Sequence, residues 1–304
     1  MTSTPDELDV AALAERHGLV RTTARPTLPA YVKQLWERRH FILAYAAART
    51  TSTYAQSRIG QLWQVLTPLF NAAVYFFLFG VLLNTSRGVE NFVAFLVTGV
   101  FIFTFTQRSL NNGAKSISGN LQLVRALHFP RAVLPLSFVL VEFKQLLISM
   151  AVLFVIIKAT GEPITWLWLL VVPAMALQML FNIGLSLVMA RIGAQSADIN
   201  QLLPFISRVW FYTSGIFYPT TRFTEHPSVP EFIKVLLSVN PPAVYIDLYR
   251  YALIESHNPI SYPWLADGQN PMATTWMLAI AWAVVFLIGG FIFFWRREEK
   301  YGRG

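Results

Sequence analysis

PITWLWLLVVPAMALQMLFNIGLSLVMA, residues 163–190, contains no charged side chain. A soluble helix of this length would show a polar face to water. Hydrocarbon solvates ions poorly and offers the backbone no hydrogen bonds, so a helix that crosses it needs ~20 mostly apolar residues. The same freedom from charge recurs between Arg58 and Arg87, between Glu90 and Arg108, and from Gly268 to Trp295. The whole chain of 304 residues is 55% hydrophobic and 13% charged, with mean hydropathy +0.47, whereas soluble domains carry about 25% charge. The chain therefore reads as an all-α membrane protein. Barrel strands, which alternate in period two over ~10 residues, do not fit these runs. There is no cysteine, so thiolate chemistry and disulfides are excluded. Residues 1–30 mix charges and lack an apolar core, so they read as a mobile cytosolic tail and not as a signal peptide.

Six spans are expected: Leu62–Leu83, Phe92–Thr106, Leu134–Ile157, Ile164–Ala190, Ile199–Pro219 and Ala273–Trp295. Lys and Arg are retained on the cytoplasmic side. With both termini inside, the inside segments hold 17 of the 24 basic residues and the outside segments hold 5. Both termini are thus expected in the cytosol.

Three connecting regions are more than links. Residues 31–58 place Leu35, Trp36, Phe41, Ile42 and Tyr45 at helical spacing against Lys33, Arg38, Arg39, Arg49 and Arg58, the pattern of a helix in the headgroup plane or of a plain juxtamembrane anchor. Residues 108–131 carry four basic side chains and no acidic one. They include a short helix, Gly119–Leu127, ended before Pro130, which can serve as a lever for a cytosolic partner. Residues 220–272 hold two short apolar helices broken at Asn240-Pro241-Pro242, too short to span and suited to a re-entrant outer lid.

Enzymatic signatures are few. Gly113-Ala114-Lys115-Ser116 resembles the tail of a phosphate-binding loop, but Arg108 stands where its first glycine belongs. No ATP site is expected on this chain. His17, His40, His128, His226 and His257 are scattered without i,i+4 pairs, so no metal site is expected. Asn84-Thr85-Ser86 is a weak glycosylation sequon. A membrane-embedded transferase would need an acid or base near an interface, and Asp247, Glu255 and Asp267 are the candidates. Solvated helix faces account for them adequately.

Within the spans lie Glu142, Lys144 and Arg208. Arg208 is ten residues past Asp198, so about 15 Å deep, and Glu142 is at similar depth past Arg131. An ion pair between Glu142 and Arg208 is expected, either structural or part of a proton relay. Phe76, Phe77, Phe79, Trp210, Phe211, Tyr212, Phe217 and Tyr218 crowd the first and fifth spans. Such rings stack on sugars, and they also pack against neighbours or lipid.

Together these segments resemble the ABC-2 type transporter permeases, in particular the polysaccharide and teichoic-acid exporters of the Wzm and TagG type. The resemblance covers roughly residues 31–300. It rests on Ser57-Arg58-Ile59-Gly60-Gln61-Leu62-Trp63 leading to Thr67-Pro68, and on Asn120 through Leu123 with Phe129-Pro130-Arg131-Ala132-Val133-Leu134-Pro135. It rests also on Asp198-Ile199-Asn200, Ser214-Gly215-Ile216-Phe217-Tyr218-Pro219, and Asn240-Pro241 followed by Tyr249-Arg250. Gly215 departs from the proline found in many relatives. The resemblance implies a homodimer, with a separate ABC ATPase beneath each copy carrying ATP and Mg. It implies an interface helix at 31–58 and a coupling helix at 115–129, with Lys115, Leu121, Leu123, Arg125, His128, Phe129, Arg38 and Arg39 at the ATPase contact. Phe76, Phe79, Trp210, Tyr212, Phe217 and Tyr218 would line a channel between spans one and five for a lipid-linked glycan. The chain resembles the mycobacterial and related actinobacterial galactan exporters particularly well. A bacterial plasma membrane and no nucleic-acid partner follow from the same resemblance. A drug or lipid exporter of the same superfamily shares the fold and differs in cargo. A neighbouring coding region for an ATPase, with or without a carbohydrate-binding tail, would sort terminator-dependent from continuous export.

Overall fold

The computed structural model describes residues 26–54, 60–82, 89–127, 129–196, 198–224, 226–265 and 270–301. The first helices are α1 (Leu28–Glu37) and α2 (Arg39–Tyr54), then α3 (Trp63–Tyr75), which widens into π-helical turns over Phe76–Leu82. Next come α4 (Phe92–Ser118), α5 (Leu121–Ala126), α6 (Val133–Ala159) and α7 (Val171–Gln195), the last entered through a 3-10 stretch, Trp166–Leu170. The remainder is α8 (Ile199–Thr213), α9 (Thr221–Thr224), α10 (Glu231–Ser238), α11 (Pro241–Leu253) and α12 (Pro271–Trp295). Among the described residues five helices are long and apolar enough to cross a bilayer: Val65–Leu82, Phe92–Ser118, Val133–Ala159, Trp166–Gln195 and Pro271–Trp295. The chain is an all-α, multi-pass membrane protein.

Three expected boundaries differ from those observed. The fifth span was expected to reach Pro219, yet α8 stops at Thr213, about 22 Å long at 1.5 Å per residue. The chain turns there because Gly215 adopts φ +66°, a left-handed conformation that glycine takes without steric cost. The region 31–58 is not one helix: it starts at Leu28 and breaks at Arg38, whose N–H turns back to the Gln34 and Trp36 carbonyls. Residues 55–59 lie outside the described residues, as do residues 1–25 of the expected tail. The region 115–129 is also divided. α4 runs on past Thr106 to Ser118, so Lys115 belongs to the long helix, and only Leu121–Ala126 forms the separate short one.

α4 is the central strut, packing against α3, α6, α7, α8 and α11. Lipid tails are as apolar as Leu, so close approach and internal hydrogen bonds, more than apolar burial, decide helix pairing. Both are present. A Cβ at Gly184 of α7 would overlap the Phe286 backbone of α12, and one at Gly290 would overlap Gly184. Gly113 of α4 lies closely against Ser186, where an added Cβ would come within 2.7 Å of its Oγ. Gln178 of α7, fully buried, donates to the Ile102 carbonyl at 3.0 Å and to Thr106 Oγ1 at 3.1 Å, and accepts from Tyr249 Oη at 3.0 Å. One side chain thereby joins α4, α7 and α11.

The break at Asn240-Pro241-Pro242 is where the sequence places it. Proline suits the first turn of α11, where an N–H would lack a partner. Asn240 then fastens this joint to the end of α8. It accepts from Trp210 Nε1 at 2.7 Å and donates to the Thr213 carbonyl at 3.1 Å and to Ser214 Oγ at 3.3 Å.

Candidate functional site

A groove of about 370 Å³ lies between α3, α4 and α8. α4 presents Val100, Thr104, Gln107, Asn111 and Lys115 to it, one face of a helix at steps of three and four. α3 adds Asn71 and Tyr75. α8 adds Asn200, Leu203, Pro204, Arg208, Phe211 and Tyr212. The lining holds four amide side chains, two cations and no carboxylate. Asn200 Oδ1 has no hydrogen-bond partner, and Pro204 has no N–H to offer the Asn200 carbonyl.

The expected pairing of Glu142 with Arg208 is not formed. Glu142 accepts from Asn112 Nδ2 at 2.7 Å and lies 3.8 Å from Arg108. Glu142 and Arg208 leave their helices in different directions around the bundle. α4 packs against both α6 and α8, turning Arg108 and Asn112 to Glu142 and Asn111 to Ser207 (3.5 Å). Arg208 stands in the groove instead.

The aromatics fall into two roles. Phe217, 2% exposed, is the hub of a cluster: Phe79 stacks on it at 4.3 Å, and Tyr75, Phe211 and Tyr212 surround it at 5.0, 5.2 and 5.7 Å. Trp210 is tied to Asn240, and Tyr218 donates to the Tyr212 carbonyl at 2.6 Å. Of the six rings singled out, Tyr212 lines the groove, and Phe76 is exposed on the π-helical stretch.

Most of the residues expected at an ATPase contact gather where α1 and α2 meet the α5 segment, whereas Lys115 stands apart on the groove face of α4. Leu121 and Arg125 are exposed on α5, and Leu123 is half-buried. Tyr45 of α2 donates to Asn120 Oδ1 at 3.0 Å, and Phe41 packs on Phe129 at 5.8 Å, so α2 and the α5 segment are joined. Arg38 and Arg39 are exposed at the α1–α2 break, with Arg39 over the Trp36 ring. His128 lies outside the described residues.

Two buried carboxylates hold distant segments together. First, Glu298, 5% exposed, accepts from Tyr31 Oη at 2.8 Å and from the Arg131 N–H at 2.9 Å, and the Arg131 guanidinium reaches the Glu298 carbonyl. This clasp binds α1, the segment after α5 and the C-terminal end. Burial raises the Glu298 carboxyl, outweighing the Arg131 and Tyr31 hydrogen bonds that lower it. A raised carboxyl favours the fold when protonated, and that contribution is lost as pH rises through its folded pKa. The melting temperature of the wild type is therefore expected to fall, relative to Glu298→Gln, on going from about pH 4.5 to about pH 7.5. Parallel thermal curves for the two proteins would contradict this. Second, Asp247 is not solvated as expected: it is 3% exposed and lies 2.7 Å from His257 Nε2, with the Ile260 N–H and Thr275 Oγ1 donating to its other oxygen. It anchors the segment after α11. Glu255 is exposed, and Asp267 lies outside the described residues.

The structure is a multi-pass helical bundle with a polar groove among its crossing helices. Residues 42–254 match the ABC-2 type transporter family, and the chain belongs to it. It is 25% identical over 245 residues to the O-antigen export system permease protein RfbA of Myxococcus xanthus, covering 81% of this chain and 92% of that one. It is 28% identical over 200 residues to the RfbA protein of Klebsiella pneumoniae, covering 65% and 73%. Similarity to the polysialic acid transport protein KpsM of Escherichia coli is 23% over 210 residues, covering 67% and 77%.

Proposed function

We propose that this chain is the permease subunit of an ABC exporter that moves a lipid-linked polysaccharide, a galactan or O-antigen-like glycan, from the cytosol outward. The observation that carries this reading is the groove: amides suit sugar hydroxyls, and the Phe217 cluster sets ring faces beside it. The printed names of the relatives, two O-antigen export permeases and a polysialic acid transport protein, support the same cargo class. Power comes from separate ATPase subunits, two copies holding ATP and magnesium, docked where α5 meets α1 and α2. A second copy of this chain completes the passage. Both termini lie in the cytosol of a bacterial plasma membrane, as the distribution of basic residues favours.

Coupling runs through contacts already described. A push on α5 reaches α2 through Tyr45–Asn120 and the chain end through Arg131–Glu298. Reversing the exposed charge in Arg125→Glu is expected to lower glycan export at least about tenfold while the assembled complex still hydrolyses ATP. Surface glycan and ATP turnover measured on the same strain check this. Unchanged export would remove α5 from the coupling path.

A further inference from the structure

We propose that the groove between α3, α4 and α8 is a phosphate site, in which Lys115 and Arg208 hold a phosphate ester from facing walls. The proposal rests on the export reading, since it names the part of a lipid-linked cargo that the groove takes. No ion pair among the described residues includes Lys115 or Arg208. The carboxylate closest in expectation, Glu142, is held by Arg108 and Asn112. Both cations are exposed to the groove, whose lining holds no carboxylate, and a cleft lined by one sign of charge concentrates anions.

Their spacing suits one anionic group. Ser207 faces Asn111 at 3.5 Å, so Arg208 is about level with Asn111. Lys115 is one turn along α4, which separates the two cations axially by about 6 Å. A phosphate or pyrophosphate between them meets an ammonium on one side and a guanidinium fork on the other. Asn71, Gln107 and Asn200 complete the wall with uncharged donors and acceptors. A neutral sugar alone would need no cations, and an apolar drug would need no amides. The lining therefore selects an anion carried on a hydroxylated body. That anion has two sources, the phosphate of the cargo and the headgroup of a bilayer phospholipid.

The test uses the full-length chain in phosphatidylcholine nanodiscs, with three probes: a maltosyl dodecyl phosphodiester, dodecyl maltoside and dodecyl phosphate. Wild type is expected to bind the phosphodiester at least about tenfold tighter than dodecyl maltoside. The double variant Lys115→Gln/Arg208→Gln loses that preference, whereas Lys115→Arg/Arg208→Lys keeps most of it. Both cations are exposed, so folding of the variants is checked simply by gel filtration. Repeating the titration in phosphatidylglycerol nanodiscs separates the sources: displacement of the probe assigns the anion to bilayer lipid, and undiminished binding assigns it to cargo. Either result supports a phosphate site. Equal preference in wild type and double variant would overturn it, even if surface glycan export proved correct. Dodecyl phosphate binding as tightly as the sugar-bearing probe would keep the phosphate site and count against the glycan reading.

Discussion

Gly290→Leu is expected to abolish the folded protein, whereas the same replacement one residue earlier, Gly289→Leu, is expected to be tolerated. The pair isolates helix packing from helix propensity, because both changes remove a helical glycine. At Gly290 even a Cβ would enter the Gly184 backbone of α7, while at Gly289 nothing lies within 4 Å. Leucine at 290 must force α7 and α12 apart, and these helices share an extensive contact along their length. Overpacking of this kind typically costs 1–3 kcal/mol where side chains can give way, and more than about 4 kcal/mol is expected where backbone must. Gly184→Leu should match Gly290→Leu. Monodisperse yield from membranes measures it. Comparable recovery of the 289 and 290 variants would show that α7 and α12 do not touch as described.

Arg250→Met is the second large effect. Arg250 is 3% exposed, and its guanidinium donates to the carbonyls of Phe95 (3.0 and 3.2 Å), Gly215 (2.8 Å) and Ile216 (3.0 Å), lying flat over the Phe95 ring. It closes the turn that ends α8 and fixes it to α4. Methionine replaces the aliphatic stem but leaves three buried carbonyls without donors, at about 3–5 kcal/mol in total. The turn carries Phe217, so the aromatic cluster should loosen with it. Arg250→Lys should rescue little, because a single ammonium cannot span the three acceptors. Thermal stability and glycan export are expected to fall together. Wild-type melting in Arg250→Met would mean that these carbonyls are satisfied by other groups.

Much of this architecture is legible in the chain itself. Charge-free runs mark the long helices because ions cannot enter hydrocarbon, and Asn240-Pro241-Pro242 marks the joint because proline cannot continue α10. What was missed follows from how such patterns work. Hydropathy ends the second span at Thr106, where polarity begins, but the helix continues through Asn112-Gly113 to Ser118, with Gly113 packed against Ser186 of α7. Its polar face, Thr104, Gln107, Asn111 and Lys115, keeps a three-and-four spacing across the expected end of the span. The short α8 depended on one backbone angle at Gly215. Glu142 found Arg108 rather than Arg208 because depth says nothing about direction around an axis. Arg250, Asp247 and Glu298 are buried by partners 10 to 267 residues away, which no local pattern records.

Reconstitution of the purified chain into proteoliposomes, with and without its ATPase partner, tests the central claim most directly. The account predicts that the chain alone neither hydrolyses ATP nor moves lipid-linked glycan across the bilayer, and that adding the ATPase and ATP starts both. Nucleotide hydrolysis by the chain alone, or a complex that turns over ATP and never moves glycan, would contradict it.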